Sequence, residues 1–509
     1  MRFNKNLTKN LNLTALVGGN IRRNNQNSIY ASTNGGLVIP GLYAISNSVS
    51  QPLAPVETQS SIGVNGIFGS ASLGLDNTYY LDATIRRDQS STLPIGNDTY
   101  YYPSISGSFI FSNLLKWNWL TFGKFRLNYA EVGNDAPFGS LYDTYTNNGW
   151  YGSNLMYSVN TTENNPNLKP EKTKSSEAGL EMAFLNKRIG FDGDVYLTNT
   201  VDQIMPVAVS PATGYSYKYV NSGEVRNQGI ELNVYGTPVK TKDFSWNVNL
   251  NWSINANKVV SLYEGVSNLQ LGSFQGGVTI DAQVGKPYGL LEGTDFVYKN
   301  GQKVVGSDGY YEITSTTNNV IGNSNPKWRG GITNSFTYKN WTASFLVDVQ
   351  AGGSVFSLDQ YYGQSDGIYP MTVGNNDLGN PMRNTLANGG GIILPGVYEN
   401  GQPNTTRITA NDYTAFGYPY RPNSAFVYDA SYVKLREAEI SYNFESQKLE
   451  ELGIHALSLG VVGSNLWIIY KNLPYADPEA GLGAGNMQGW QSGVMPTTRN
   501  FGFNLKVQF

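Results

Sequence analysis

Apolar and polar residues alternate along most of this chain. From Phe244 to Ala256 the sequence reads FSWNVNLNWSINA, with an aromatic or aliphatic side chain at every even position up to 254 and Asn or Ser between them. Successive side chains of a strand point to opposite faces, so this run predicts a strand with one apolar and one polar face. The same alternation occurs at 177–184, at 189–198 and in the last nine residues, 501–509.

The alternation predicts about fourteen strands, and many of them reach the 9–11 residues that a tilted strand needs to cross hydrocarbon. Their predicted starts lie near residues 10, 60, 78, 102, 119, 173, 189, 225, 243, 329, 341, 430, 455 and 498. In the strand that starts near 430 the apolar phase changes between Leu435 and Ala438. A one-residue slip exchanges the two faces of a strand, so a β-bulge is predicted near Glu437.

The predicted connections alternate between short and long. The short ones lie at 76–77, 115–116, 186–187, 240–243, 339–340 and 445–453. The long ones span 24–56, 91–100, 134–171, 204–224, 262–328, 358–424 and 471–496. Helical signals are few, and one helical turn is expected at 448–452. Short turns at one end of a sheet and long loops at the other are typical of a bacterial outer-membrane barrel.

The fold class predicted from these patterns is all-β, an antiparallel transmembrane β-barrel. The polar faces carry Asn, Ser, Thr and charged residues, which fit a water-filled lumen, while the apolar faces would meet lipid. The alternative is a secreted or surface-exposed soluble β-rich binding protein, in which the same apolar faces pack inside a sandwich. The two hypotheses differ in whether the apolar faces lie outside the sheet or in a dry core.

Composition narrows the possible chemistry. The 509 residues include no Cys and a single His, His455, which argues against disulfides, thiolate metal sites and histidine-based catalysis. A net charge of −3 gives no reason to expect a nucleic-acid partner. We therefore predict no enzyme activity, no catalytic residue, no metal and no cofactor. An outer-membrane hydrolase stays as a further alternative, which needs a carboxylate or Ser near His455.

The sequence shows no pattern of a signal peptide and none of a hydrophobic transmembrane helix. Its first ten residues, MRFNKNLTKN, are basic and polar with no apolar region behind them, so the chain is cytoplasmic or its true N-terminus is missing. The most apolar stretch, LSLGVVGSNLWIIY at 457–470, is interrupted by Ser, Gly and Asn. Transmembrane helices are therefore excluded, while transmembrane strands remain open.

Several short motifs add a family resemblance. The run NPNLKPEKT at 165–173 leads into an alternating strand, and IGNSNPKWRGG at 321–331 is followed by a hairpin. Further motifs are YVNSGEVRNQGI at 219–230, YDASYVKL at 428–435, GSNL at 463–466, YADPE at 475–479 and the terminal Phe509. In this order the chain resembles TonB-dependent outer-membrane receptors of the SusC/RagA branch, over nearly its whole length.

The resemblance implies a nutrient receptor in the cell outer membrane, surrounded by lipid. Such a receptor imports oligosaccharides or peptides with energy from TonB, and a SusD-like lipoprotein closes over its outer loops. The family is implied to have a signal peptide, a plug and a 22-stranded barrel. Residues 1–509 would then be the C-terminal portion of the barrel domain, with the signal peptide, the plug and about eight strands missing.

The candidate ligand-binding residues are aromatic side chains in the predicted outer loops. They are Trp150, Tyr151, Tyr361, Tyr362, Tyr369 and Trp490. Aromatic rings offer flat apolar faces to sugars or peptide side chains, although they also pack loops against one another. Asp192 and Asp194 are two apart on the polar face, where channel-wall charges are the simpler interpretation than acid–base or cation-binding groups. Asp308 and Gly309 are predicted to form a simple turn rather than a calcium loop.

Overall fold

A computed structural model describes residues 1–410, 415–445, 447–451, 453–481, 485 and 487–509. Its main feature is one sheet of fifteen strands that follow one another in chain order. The strands are β1 Arg2–Asn6, β2 Leu11–Tyr30, β3 Val56–Leu75, β4 Tyr79–Ser90, β5 Thr99–Phe109, β6 Leu120–Asn134, β7 Glu171–Phe184, β8 Ile189–Val201, β9 Glu224–Lys240, β10 Phe244–Ser261, β11 Pro326–Tyr338, β12 Trp341–Gly352, β13 Tyr432–Phe444, β14 Ala456–Lys471 and β15 Asn500–Gln508.

All fourteen predicted strands are confirmed as β2 to β15, and β1 is one that the alternation did not predict. The prediction that a loop begins at residue 24 is wrong. Strand β2 pairs with β3 over the whole length of both, from Leu11 opposite Leu75 to Tyr30 opposite Val56. Residues 22–30 are mostly polar and exposed, yet their backbone continues the ladder. Backbone hydrogen bonds hold this part of the hairpin, and they leave no apolar pattern in the sequence.

The chain divides into two compact units, and the alternation of connections can be followed in each. In unit 1 (1–110, 126–177 and 198–224), short links 7–10 and 76–78 alternate with links 31–55 and 91–98. Asp76 and Asn77 have φ values of 55° and 52°, as a tight hairpin turn between twisted strands requires.

In unit 2 (111–125, 178–197 and 225–509), links 339–340 and 445–455 alternate with the long links 262–325, 353–431 and 472–499. Because the strands on either side are antiparallel, the long links leave one end of the sheet, which we call the long-loop end. The short link predicted at 115–116 is wrong in length, because residues 110–119 form a connection longer than 91–98 that contains a 3-10 turn, Phe111–Asn113.

The apolar face of the sheet is accessible rather than packed in a core. On β10, Trp246 and Trp252 are half-buried and Leu250 is 37% exposed, while Asn247 and Asn251 on the other face are exposed as well. On the last strand, Phe503 is 85% exposed. A soluble sandwich would bury one face of each strand, so these exposures favour a single layer with different surroundings on its two faces.

A β-bulge interrupts β13 as the change of phase predicted. Leu346 of β12 lies opposite Glu437, and the next residue, Val347, lies opposite Leu435. Arg436 is therefore the extra residue, one position from the predicted one, and the pairing with β14 shifts at the same place. The bulge is confirmed, and it directs Arg436 into the ion cluster described below.

The long links fold into small elements of their own. Their strands are Asn34–Leu37, Ser48–Ser50, Tyr145–Tyr151, Asn154–Val159, Thr162–Glu163, Ile204–Ala208, Tyr217–Asn221, Asn268–Phe274, Val278–Gln283, Tyr288–Gly293, Tyr298–Lys299, Gln302–Lys303, Asn319–Asn323, Ser354–Ser357, Ile392–Ile393, Arg407–Ile408, Val427–Asp429 and Trp490–Gln491. Further 3-10 turns are Ile45–Asn47, Pro211–Thr213, Pro370–Thr372, Leu386–Asn388 and Asn423–Phe426. The loops, rather than the large sheet, hold the buried apolar clusters.

Two α-helices occur in the described part of the chain. Helix α1, Leu358–Ser365, lies in a link for which no helix was predicted, and α2, Gln447–Glu451, falls on the predicted helical turn. Residues 446 and 452 of that predicted link, with 411–414, 482–484 and 486 of the predicted long loops, lie outside the described residues. Over the described ranges, neither helix has the length and hydropathy to cross a membrane.

Candidate functional site

Tyr361 and Tyr362, on α1, pack at the edge of a buried loop core. The helix begins where the Ser357 hydroxyl accepts a hydrogen bond from the Gln360 N–H at 3.2 Å. Tyr361 stacks on Tyr418 with ring centroids 4.8 Å apart and meets Phe356 and Phe426 edge-on. Its ring therefore shares its faces with other loop residues, and burial raises the pKa of its phenol.

Trp490 joins the same core from the last long link. Its indole stacks on Phe274 at 5.1 Å between centroids, in a core built on Val278, Ile280, Leu291, Phe356, Leu358 and Phe426. The next residue, Gln491, accepts a hydrogen bond from the Ser357 hydroxyl at 2.6 Å and donates to Asp359. Three of the six candidate residues thus come together at α1.

Tyr369 lies outside that core, on the segment that follows α1. Its ring stacks on Tyr475 at 4.9 Å, and Tyr475 is 64% exposed. The pair joins the link 353–431 to the link 472–499 by ring contact. It presents a larger aromatic surface at the long-loop end than either residue would alone.

Trp150 and Tyr151 lie in unit 1, on the hairpin formed by Tyr145–Tyr151 and Asn154–Val159. Gly152, at φ 62°, makes the tight turn between the two strands. Both aromatic side chains are strongly exposed, Trp150 to 71% and Tyr151 to 77%. Among the six candidates they are the ones whose ring faces are most open.

A buried ion cluster anchors the link 472–499 to the large sheet. Lys434 of β13 is 6% exposed at its side chain, and its ammonium contacts the Asp477 carboxylate at 2.6 Å and also pairs with Glu479. Arg436, the bulge residue, bonds Asp348 of β12 through its Nε at 3.0 Å and Glu479 at 2.9 Å. The motifs YDASYVKL and YADPE thus meet in space.

Asp477 and Glu479 of this cluster are stabilised in their charged form. Burial alone would raise the pKa of Asp477, but hydrogen bonds from Lys434, from the Glu479 N–H and from the Thr497 hydroxyl hold it below its ordinary value. The pKa of Glu479 is likewise lowered against the effect of burial, mainly by Lys434. At neutral pH these carboxylates therefore hold the link 472–499 to β13 through ion pairs with Lys434.

In a second pair of carboxyl groups in the loops, the pKa values are raised rather than lowered. Asp281 and Glu292 are each 3% exposed on neighbouring strands, and Asn268 donates to both, at 3.2 and 3.5 Å. Burial raises the pKa of Asp281. Burial and then the charge of Asp281 raise the pKa of Glu292, although Gln283 donates to it at 2.6 Å. Both carboxyl groups therefore take up protons at higher pH than exposed carboxyl groups would.

Asp192 and Asp194 line one cavity on the polar face of the sheet. The cavity has a volume of about 390 Å³, and its other lining residues include Glu231, Asn233 and Asn251, which the alternation assigns to the same face. Six of the eight lining residues carry carboxylate, amide or hydroxyl groups, as a hydrated lumen presents, and the other two are Leu232 and Trp252.

The remaining sequence candidates lie in ordinary structural positions. His455 is exposed, and its backbone N–H donates to the Gln508 carbonyl at 2.7 Å just before β14 begins. Asp308 accepts from the Tyr310 N–H at 3.1 Å next to Gly309, at φ 88°, which is the predicted turn. Among the residues that the structure describes, no three His, Cys, Asp or Glu side chains cluster as metal ligands would.

Comparison with known proteins identifies the family. The model of the TonB dependent receptor-like β-barrel family matches residues 1–376. TonB-dependent receptor P3 of Formosa agariphila is 27% identical over 478 residues, which are 87% of this chain and 45% of that protein. TonB-dependent receptor SusC of Bacteroides thetaiotaomicron is 23% identical over 475 residues, 87% of this chain and 43% of SusC.

The solved structures agree on the fold. The RagAB peptide transporter matches the whole chain with a TM-score of 0.76 and 20% identity, covering 54% of the chain it matches. The chain thus spans about half the length of the relatives and structures to which it is similar. It belongs to the TonB-dependent receptor β-barrel family, is of the SusC/RagA type, and is an outer-membrane protein.

Proposed function

We propose that this chain forms part of a nutrient receptor that imports oligosaccharides or peptides through the polar interior of its barrel. The observation that carries the proposal is the large sheet, in which one face is apolar and accessible and the other carries charged and amide groups around the Asp192 and Asp194 cavity. Similarity to SusC and to the RagAB peptide transporter supports it. No covalent step is needed, because binding and passage account for the function.

Energy and partners follow from the same proposal. TonB would drive import from the inner membrane, and a SusD-like lipoprotein would cover the long-loop end of the sheet. Trp150 and Tyr151 in the loops of unit 1, and separately Tyr361, Tyr362, Tyr369 and Trp490 in the loops of unit 2, are proposed as ligand-contacting side chains. The accessible rings of Trp150 and Tyr151 and, in unit 2, the Tyr369–Tyr475 stack are best placed to receive a ligand.

Deletion and complementation in the source organism test the proposal. A strain without the gene is expected to lose growth on one oligosaccharide or peptide mixture as sole nutrient and to regain it with the wild-type gene. A protonophore is expected to abolish uptake of the same labelled nutrient, because TonB-linked import depends on the proton gradient. Uptake that is unchanged by gene deletion would contradict the import function, and uptake that persists with the protonophore would contradict the TonB coupling alone.

We also propose that residues 1–509 are the C-terminal barrel portion of the receptor, with the plug encoded upstream of Met1. The share of the relatives that the chain covers, 43–52%, supports this assignment. Sequencing the genomic region upstream of the Met1 codon tests it. An in-frame plug domain is the expected result, and an unrelated gene ended by a stop codon would overturn the assignment.

A further inference from the structure

A short sequence pattern occurs twice in the long links, one hundred positions apart. Residues 298–302 read YKNGQ and residues 398–402 read YENGQ. Each forms a tight turn: Tyr298 pairs with Lys303 in the first, and the Tyr398 N–H bonds the Gln402 carbonyl at 2.8 Å in the second. Both turns lie in unit 2. The repeated Tyr-x-Asn-Gly-Gln pattern places one tyrosine at the start of each of two turns.

The two turns are joined side by side. Val304 and Val397 form a parallel bridge, with the Val397 N–H bonding the Lys303 carbonyl at 2.9 Å and the Val305 N–H bonding the Val397 carbonyl at 2.8 Å. The Lys299 ammonium donates to the backbone carbonyl of Glu399 at the tips. Backbone pairing therefore fixes the distance between the two turns.

A cavity of about 1230 Å³ opens between these turns. Tyr298, Tyr398, Glu312 and Asn400 are among its lining residues, and Val305 lies in its wall. Val305 is 1% exposed and belongs to a loop core with Phe296 and Leu394, so this part of the wall is packed against buried apolar side chains. Pockets for small ligands usually measure about 300–1,000 Å³, so this cavity has room for an oligomeric ligand.

The ring of Tyr398 is held in place at its phenol oxygen. That oxygen accepts hydrogen bonds from the N–H groups of Thr405 at 3.0 Å and of Thr406 at 2.9 Å, with the Thr406 hydroxyl 2.6 Å away. The neighbouring Thr405 and Thr406 hydroxyls, with the Thr405 N–H, lower the pKa of Tyr398 to about 8. Because the phenol is fixed, the flat face of the ring is pre-organised for a ligand.

The charged residues that line the cavity indicate which class of ligand it binds. Glu312 and Glu399 are both carboxylates, and the Lys299 ammonium is already engaged by a carbonyl, so an anionic ligand is disfavoured. Carboxylate and amide groups pair well with adjacent hydroxyls, and tyrosine faces pack against the C–H faces of sugar rings. Resting on the import function proposed above, we propose that this cavity binds a neutral oligosaccharide between Tyr298 and Tyr398, with Glu312 and Asn400 bonding its hydroxyls.

Calorimetry on the receptor purified in detergent tests the proposal. The probes are maltohexaose, laminarihexaose, cellohexaose and xylohexaose, with a tryptic digest of casein as the peptide probe. Wild-type receptor is expected to bind at least one hexasaccharide, and Tyr298→Ala and Glu312→Gln are each expected to weaken that binding at least tenfold. Tyr263→Ala is the matched control, because Tyr263 is 42% exposed in a loop and does not line the cavity.

The outcomes separate this site from the proposed function. Hexasaccharide binding that is equal in wild type, Tyr298→Ala and Glu312→Gln would overturn the cavity as the site and leave import intact. Binding of the casein peptides but of no hexasaccharide would overturn the saccharide assignment, and so would binding of no probe at all. Loss of nutrient uptake on gene deletion, measured separately in cells, bears on the import function alone. Unchanged circular dichroism of each variant ensures that a loss of binding is not a loss of folding.

Discussion

The large sheet and the long loops use apolar side chains in opposite ways. In the sheet, Phe503 is 85% exposed and Ile21 is 75% exposed, while in the loops Phe356 and Phe426 are fully buried. The sheet is held by continuous backbone pairing, which lipid demands of any structure that spans it. The loops fold in water and are held by burial of apolar area. A residue's hydrophobicity therefore does not by itself locate the core; the periodicity of its strand and the surroundings of that strand do.

The largest expected effect on stability comes from truncating a side chain in the loop core, compared with the same truncation on the exposed face of the sheet. Phe356→Ala removes a fully buried side chain from the loop core and is expected to cost about 3–5 kcal/mol of loop stability. Phe503→Ala, on the exposed face of β15, is the matched control and is expected to change little in detergent. Proteolysis of the link 353–431 over a temperature series measures both. Equal effects of the two variants would mean that the sheet and the loops depend on apolar burial to the same extent.

The ion cluster lies where the sheet meets the link 472–499, and removing its buried cation tests what holds that link in place. Lys434→Met leaves Asp477 buried without its ammonium, and removing one partner of a buried pair costs about 3–5 kcal/mol. Lys218→Met is the matched control, since the Lys218–Glu163 pair is 40% and 28% exposed and such pairs contribute about 0–1 kcal/mol. Hydrogen exchange of residues 472–481 is expected to rise strongly in Lys434→Met only. Unchanged exchange there would show that the cluster does not anchor the link.

Charge placed on either face of one strand tests which face meets lipid. Leu250→Lys puts an ammonium on the apolar face of β10 and is expected to cost about 2 kcal/mol or more in a bilayer. Asn251→Lys, one residue along and on the polar face, is expected to be nearly neutral. Refolding into lipid vesicles, followed by urea titration, measures the difference. A larger loss from Asn251→Lys would reverse the assignment of the two faces.

The pH dependence of the ion cluster is the smallest effect and has a defined sign. Because the pKa values of Asp477 and Glu479 are lowered in the folded state, their stabilisation is complete above the ordinary values of 3.8 and 4.5. It is lost as pH falls through the lower folded values. The protection factors of residues 472–481, which are exchange rates corrected for the intrinsic pH dependence of amide exchange, are therefore expected to be constant from pH 8 to about pH 5 and to fall below about pH 4.

The Asp281 and Glu292 pair provides an internal control of opposite sign. Their pKa values are raised, so the stabilisation from protonation is complete below 3.8 and 4.5 and is lost as pH rises through the higher folded values. The protection factors of the strands Val278–Gln283 and Tyr288–Gly293 are thus expected to increase as pH falls toward 4. Lower protection factors in both segments at pH 4 would mean general acid unfolding rather than titration of these two groups.

The sequence predicted the sheet well because the sheet follows a local rule. Alternation needs only neighbours in the chain, and it located fourteen strands and the bulge beside Glu437. It failed at residues 22–30, where a polar part of β2 continues the sheet by backbone pairing. It also failed at β1, whose five residues, RFNKN, include a single apolar side chain and so show no alternation. Family membership came from motifs, and the comparisons confirmed it.

The loops were less predictable because their order depends on distant contacts. Helix α1 reads LDQYYGQS, which has no apolar stripe of helical period, and its start depends on the Ser357 cap. The aromatic candidates Tyr361 and Trp490 were found by residue type, yet their meeting requires segments far apart in the chain. The Lys434–Asp477 pair joins two recognised motifs, but sequence does not say which charges meet. The repeated YKNGQ and YENGQ pattern was the one visible signal of the Tyr298 and Tyr398 cavity.

The bulge at Arg436 makes β13 respond differently to a substitution and to a deletion at this position. Almost any substitution there keeps each neighbour's orientation, whereas loss of the codon would rotate residues 432–435 by half a turn. Lys434 would then leave its carboxylates and point toward hydrocarbon. At this position a deletion would change the orientation of the strand, whereas a substitution would change the contacts of Arg436 with Asp348 and Glu479.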